Sequence, residues 1–461
     1  MEKSKKNEGI FEGKYRALTI GIIIAVTTVA FEGLAITTIA PSLAQKLNGL
    51  HLYGWIFSAF LLAQIVGTMV IGQRINKNGV FASFIASNLL FVIGIVIAAM
   101  SVNMVMLIAG RVFQGFGAGA IITCVYYSIT LGYPDHLRTK ILAMFSSAYI
   151  IPALIGPYIA GLISEFISWR FVFWLVVPLI GLAVVLTLPA FRRFSVREKE
   201  ASKSGGKELY AVLLAIGTGM LLAGLGTITN WKGIVLSLTG IVIMIKPLRK
   251  LLPEGTFSVK RGLPATLASR GLYVACFFAT ESYVVLALTE VKMLSADLAG
   301  LIVAAGALSW STAAWFQSKL DSKDQGSGRK KRIMIGVCFM IIGVTAVIFA
   351  ISLPMGGILF AIISQILTGF GIGLANPTTG AIALQHANAG EEGEVSASIQ
   401  FTDAFGPSIS IGLGGALIAI SETLQWGLLI GILLALTLQL VFVILSFIFS
   451  FRIKQKNIAS E

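Results

Sequence analysis

Apolar residues run in stretches long enough to cross a bilayer, and polar residues are confined to short segments between them. Judged against about 20 residues per crossing, spans are predicted near 17–40, 52–72, 80–101, 104–130, 140–165, 169–190, 208–227, 232–246, 264–289, 298–317, 333–353, 357–384, 394–420 and 425–450. The eighth is short. The pattern predicts an all-α integral membrane fold of about fourteen transmembrane helices. The first run is too long for a cleaved signal peptide and continues into "APSLAQKLNG" without a processing site.

Composition agrees: 56% of the 461 residues are hydrophobic and 12% charged, where soluble domains carry about 25% charged residues. The net charge of +14 does not point to nucleic acid, because the basic residues form no patch. They cluster in alternate connections: Arg74/Lys77, Arg138/Lys140, Arg192/Arg193/Arg197/Lys199, Lys246/Arg249/Lys250, the run from Lys319 to Arg332, and both chain ends. The positive-inside rule then puts both termini in the cytoplasm of a multi-pass cell-membrane protein. The acidic connection "HANAGEEGEV" is kept on the same side, since acidic residues contribute little to topology. Cys124, Cys276 and Cys338 lie in apolar runs and read as small core residues, with no disulfide or metal role.

The chain also repeats itself. Gln114-Gly-Phe-Gly matches Thr368-Gly-Phe-Gly at an offset of 254, and Gly156-Pro157 matches Gly406-Pro407 at an offset of 250. Two motifs at nearly one offset predict two related halves. The expected organisation is a six-helix bundle over 1–190, a linker with two extra helices over 191–262, and a second six-helix bundle over 263–461.

These residues carry a family resemblance. "RVFQGFGAG" from Arg111 resembles the fourth-helix motif of the major facilitator superfamily, and "IGPYIAG" the fifth-helix motif of its antiporters. "SWRFVFWLVVP" is similar to the start of the sixth helix, and "FEGLAITTIAP" to a first-helix motif with an acid nine positions before a proline. Fourteen helices resemble the drug:proton antiporter branch. The resemblance implies two pseudo-symmetric bundles around a central cavity, alternating access, and export driven by a proton gradient, with no cofactor. One motif departs: the loop "GQRINKNGVF" holds Asn76 where the family carries an aspartate, while "SKLDSKDQGSGRKKR" in the second half keeps Asp321.

Candidate chemistry lies in the intramembrane charges. An ionised side chain at the centre of a lipid-embedded helix costs roughly 2.5–3.5 kcal/mol on insertion scales, so such residues are paired or used. Glu32 lies about 12 Å from the end of its helix at 1.5 Å per residue, and Arg111 lies at a matching depth in the fourth. Glu281 falls one residue from the position that the repeat offset of 250 assigns to Glu32. This predicts one glutamate on each wall of the cavity. Asp403 lies three residues before Gly406. Glu32, Arg111, Glu281 and Asp403 are the proton-coupling candidates; burial and a nearby guanidinium pull a carboxylate's proton affinity in opposite directions. Gln114, Phe31, Tyr149 and Tyr283 are candidates for the substrate cavity, where aromatic faces suit a lipophilic cation. Gly156, Pro157, Gly406 and Pro407 are conformational candidates, since proline removes a backbone bond and glycine lets helices approach. Each has a structural alternative: a buried ion pair, a hydrogen-bonded core acid, a backbone cap, or simple packing.

The expected partners are a small lipophilic substrate, protons and membrane lipid, with no nucleic acid and a monomeric chain. Export of a lipid or glycolipid is the alternative within transport. A channel does not account for the repeat with paired acids. His51, His136 and His386 sit in connections and form no catalytic set with a nucleophile, and no Walker loop occurs to power the cycle with ATP.

Overall fold

The computed structural model describes residues 9–192, 206–353, 357–387 and 392–455. Residues 193–205 of the linker predicted within 191–262 and part of the acidic connection lie outside the described residues, as does the side chain of Asn76. In chain order the helices are α1 (Arg16–Lys46), α2 (Tyr53–Ala99), α3 (Met104–Gly132), α4 (Asp135–Ser147), α5 (Ile150–Ile163), α6 (Trp169–Phe191), α7 (Lys207–Gly226) and α8 (Trp231–Leu251). They continue as α9 (Leu263–Glu290), α10 (Ala296–Asp324), α11 (Arg329–Ser352), α12 (Gly357–Gln385), α13 (Glu392–Thr423) and α14 (Leu428–Ser450).

Two elements differ from the predicted spans. The second and third spans form one helix, α2, interrupted at Gly79, whose φ of 78° suits a residue without a β-carbon. A β-carbon at Gly67 would meet Phe116 of α3, and one at Gly117 of α3 would meet Phe91. Both limbs of α2 therefore flank the same stretch of α3, so the chain folds back at Gly79. The fifth span is divided: α4 ends at Ser147, α5 starts at Ile150, and Thr27 donates to the Ala148 carbonyl between them at 3.1 Å.

Among the described residues, twelve segments are long and apolar enough to cross a membrane. One of them, Ile150–Phe191, has 42 residues, about 63 Å at the helical rise and twice the hydrocarbon thickness. It holds α5, a π-turn at Ser164–Ser168, and α6. Helix α8, whose last turn carries Arg249 and Lys250, is a further span by length. The architecture is two bundles of six crossings with the α7–α8 pair between them in sequence.

Packing makes the repeat physical. In lipid, helices gain little from hydrophobic contact with one another, so close approach through small residues matters more. On α3, Gly115 and Gly119 face the carbonyls of Phe60 and Gln64 in the first limb of α2, and Gly117 faces Phe91 in the second. On α12, Gly369 and Gly373 face the carbonyls of Gly306 and Trp310 on α10, and Gly371 faces Gly336 on α11. Corresponding glycines thus meet corresponding helices in each half. The α7–α8 hairpin packs against α2 and α13, with Ile65, Leu214, Met244 and Phe401 in one apolar cluster.

Candidate functional site

The two halves meet tightly at one end. At that end Gly54 of α2 abuts Gly415 of α13, where an added β-carbon on Gly415 would lie 2.8 Å from the Gly54 Cα. The Ser58 hydroxyl donates to the Ser408 carbonyl at 2.7 Å, and the Tyr53 hydroxyl to the Ser282 carbonyl at 2.8 Å. At the same end, through a second pair of helices, Gly161 near the end of α5 lies against Ala296 and Asp297 at the start of α10, and Gly300 of α10 against the Pro157 carbonyl. Of the conformational candidates, Pro157 lies on this contact. Gly156 faces the Phe31 ring, and Gly406 faces the Gly271 carbonyl within its own half. The contacts between halves rest largely on Gly54, Gly161, Gly300 and Gly415, which the repeat motifs did not single out.

At the other end the halves diverge around a cavity of about 1510 Å³. Its wall includes Gln64 and Thr68 of α2, Tyr126 of α3, Phe145 of α4, Tyr149, Phe278 of α9, Trp310 of α10, Asn376 of α12 and Asp403 of α13. Lys77, at the Gly79 break of α2, and Lys207, at the start of α7, also line it. The mouth therefore lies on the side of the basic connections.

Five placements differ from the expected lining. Tyr149 and Asp403 are on the cavity wall, but Gln114, Phe31, Tyr283, Glu32 and Glu281 are not in this conformation. Phe31 is buried against Gly156. Tyr283 is fully buried where the halves meet, its hydroxyl donating to the Ile411 carbonyl and its ring 6.1 Å from that of Tyr53. Gln114 is buried beside Arg111. Residue type and depth were legible in the sequence; the rotation of each helix about its axis, which decides what faces the cavity, depends on packing.

The pair expected from matched depth is present: Arg111 donates through Nη1 to Glu32 Oε1, with both side chains buried. Arg111 also donates from Nε to the Ile56 carbonyl at 3.0 Å and from Nη1 to Gln114 Oε1 at 3.0 Å, and stacks over the Phe60 ring. Glu32 Oε2 and Gln114 Nε2 have no hydrogen-bond partner among the described residues. In the second half the repeat places Gln365 where the first has Arg111. Glu281 accordingly has no ion pair among the described residues, and its buried Oε2 has no hydrogen-bond partner there.

A second ion pair, buried on the arginine side only, escaped the sequence reading. Arg270 of α9 forks onto Asp403, Nε to Oδ1 at 2.7 Å and Nη2 to Oδ2 at 2.8 Å. Its Nη1 reaches the Asn376 carbonyl and the Thr379 hydroxyl at 2.7 and 2.8 Å. The available signal was an arginine inside the ninth apolar run.

The Major Facilitator Superfamily profile matches residues 20–411, most of the chain. The chain belongs to the Major Facilitator Superfamily. Its activity at that level is secondary active transport of a small solute by a multi-pass membrane protein, not catalysis of a chemical reaction. Among superfamily relatives, the multidrug efflux pump SdrM of Staphylococcus aureus is 25% identical over 73% of this chain and 75% of its own length. The MFS-type transporter opaD of Aspergillus ustus is 31% identical, but over 38% of this chain and 30% of its own length. Among solved structures, an auto-inhibited POT family peptide transporter superposes with a TM-score of 0.69 at 15% identity, covering 96% of this chain and 99% of its own. A point mutant of the nucleoside transporter NupG gives 0.64 at 14%, covering 94% and 98%. At these identities the likeness concerns the fold.

Proposed function

We propose that this protein is a proton-coupled antiporter that exports lipophilic drugs, cations among them, by alternating access. The observation that carries the reading is the pair of buried glutamates, Glu32 and Glu281, each with a carboxylate oxygen lacking a partner among the described residues. Intramembrane acids held away from lipid mark proton pathways by default. Residues 1–190 and 263–461 act as the two rocking bundles, with 191–262 supplying the linker and the extra hairpin. Both termini are cytoplasmic by the positive-inside rule, so the cavity at the basic end opens to the cytoplasm. Substrate binds there with a glutamate deprotonated; after the bundles rock, protonation from outside favours release. Arg111 compensates Glu32 while it is ionised. The similarity to SdrM, a multidrug efflux pump, supports the drug reading. The cavity is also large enough for an amphiphilic lipid, which keeps lipid export as the second reading.

The test uses purified protein in vesicles with an imposed pH gradient and a panel of cationic dyes, neutral drugs and lipids. Uphill transport should stop when an ionophore collapses the gradient and continue without ATP. Transport that survives the ionophore overturns proton coupling, and uptake of lipid alone overturns the drug reading.

A further inference from the structure

Asp403 and Arg270 are unequally placed: the aspartate side chain is 34% exposed, the arginine 6%. Asp403 lines the cavity, whereas Arg270 lies behind it, held by α12. A solute in the cavity therefore meets the carboxylate first. The fork uses one acceptor site on each oxygen, and an ionised carboxylate has about four such sites. No other donor reaches Asp403 among the described residues. It is also the only acidic residue on the described lining. The two basic ones are toward the mouth, where water and salt screen them, and Lys207 is paired with Glu394 at 3.2 Å.

The wall next to this carboxylate is aromatic. Arg270, Val274 and Phe278 follow at four-residue spacing on α9, so Phe278 stands about 12 Å beyond Arg270 toward the closed end. The Trp310 ring packs edge-on against Phe277 and Phe278, with centroids 5.2 and 6.4 Å apart. A carboxylate at one end of a wall and two cavity-lining rings at the other define a site with polarity and length.

Building on the export reading, we infer that Asp403 binds the charged group of an elongated lipophilic cation whose aromatic body lies along Phe278 and Trp310. Arg270 is the positioning residue: its fork fixes the carboxylate plane and turns the remaining acceptor sites to the cavity. Glu32 and Glu281 are off the lining, so substrate and proton occupy different carboxylates. Coupling then runs through the rocking of the halves, not through competition at one acid.

The experiment measures equilibrium binding of trimethyl(biphenyl-4-yl)ammonium, charged at one end of an aromatic rod, and of its uncharged isostere 4-tert-butylbiphenyl, to the full chain in lipid nanodiscs. Asp403→Asn should weaken the cation about tenfold or more and leave the neutral probe within about twofold. Because that variant strands a buried arginine, Arg270→Gln with Asp403→Asn is the second arm. It removes both charges, so a pair needed only for structure would recover cation binding, whereas the inferred site stays weak. Asp403→Glu should restore most of the affinity. Cation binding that is unchanged in Asp403→Asn, or recovered in the double variant, overturns the inference while leaving drug export standing. Failure of the unaltered protein to bind either probe overturns the export reading and the inference with it.

Discussion

Replacing Arg111 by methionine isolates the electrostatics of the first-half pair, because methionine fills much of the same volume without charge. The change removes three donor contacts, to Glu32, Gln114 and the Ile56 carbonyl. Of these, the loss at Glu32 dominates. Its other oxygen already lacks a partner among the described residues, so the carboxylate is left buried with no counter-charge. Breaking a buried pair from one side costs about 3–5 kcal/mol. Glu32→Gln leaves the Arg111 guanidinium buried without a counter-charge and is expected to cost a similar amount, about 3–5 kcal/mol, eased by the amide oxygen that still accepts from it. The double variant carries neither charge and should be more stable than Arg111→Met alone. The assay is loss of the monodisperse peak after heating in detergent, read as midpoint temperatures for the four proteins. A double variant no more stable than Arg111→Met would refute the electrostatic account and make the arginine a packing residue. The same proteins report on function: Glu32→Gln should insert and fold but fail to accumulate substrate against a gradient. Normal uphill transport in that variant would move the proton site to Glu281.

The other predictions concern Glu281, the closed end, an exposed pair and the topology. Glu281→Gln, at a carboxylate with no charge partner among the described residues, should cost under about 1 kcal/mol of stability yet reduce proton release on substrate addition, measured with a pH dye. Gly415→Val puts side-chain atoms against the Gly54 backbone; such overpacking costs about 1–3 kcal/mol and should raise labelling of a cysteine placed at Ser58. Lys207→Ala breaks a solvent-exposed pair with Glu394, worth about 0–1 kcal/mol, and should leave the midpoint temperature nearly unchanged. Cysteines at Asn48 and Trp231 should label from outside, and one at Ser327 only after permeabilisation. Outside labelling at Ser327 would reverse the proposed orientation and the side on which the cavity opens.

The sequence alone determined a good deal of this molecule. Lengths of apolar runs are set by the bilayer, so helix number was legible without tertiary information, including the extra pair between the halves. The glycine motif at Gly115, Gly117 and Gly119 and its copy at Gly369, Gly371 and Gly373 announced the repeat, because a β-carbon at these positions would meet the facing helix. Matched depth along two helices was enough to join Glu32 to Arg111, since rise per residue is fixed by helix geometry. Depth is one coordinate, however. Which residue faces the cavity depends on each helix's rotation and tilt, and those follow from packing against neighbours distant in the chain. That is why Tyr283 and Gln114 went to the interior and Asp403 to the wall. It is also why Arg270 was overlooked: its partners Asp403 and Thr379 lie more than 100 residues away on α13 and α12. No periodicity within α9 encodes that meeting; only the assembled bundle brings the three helices together.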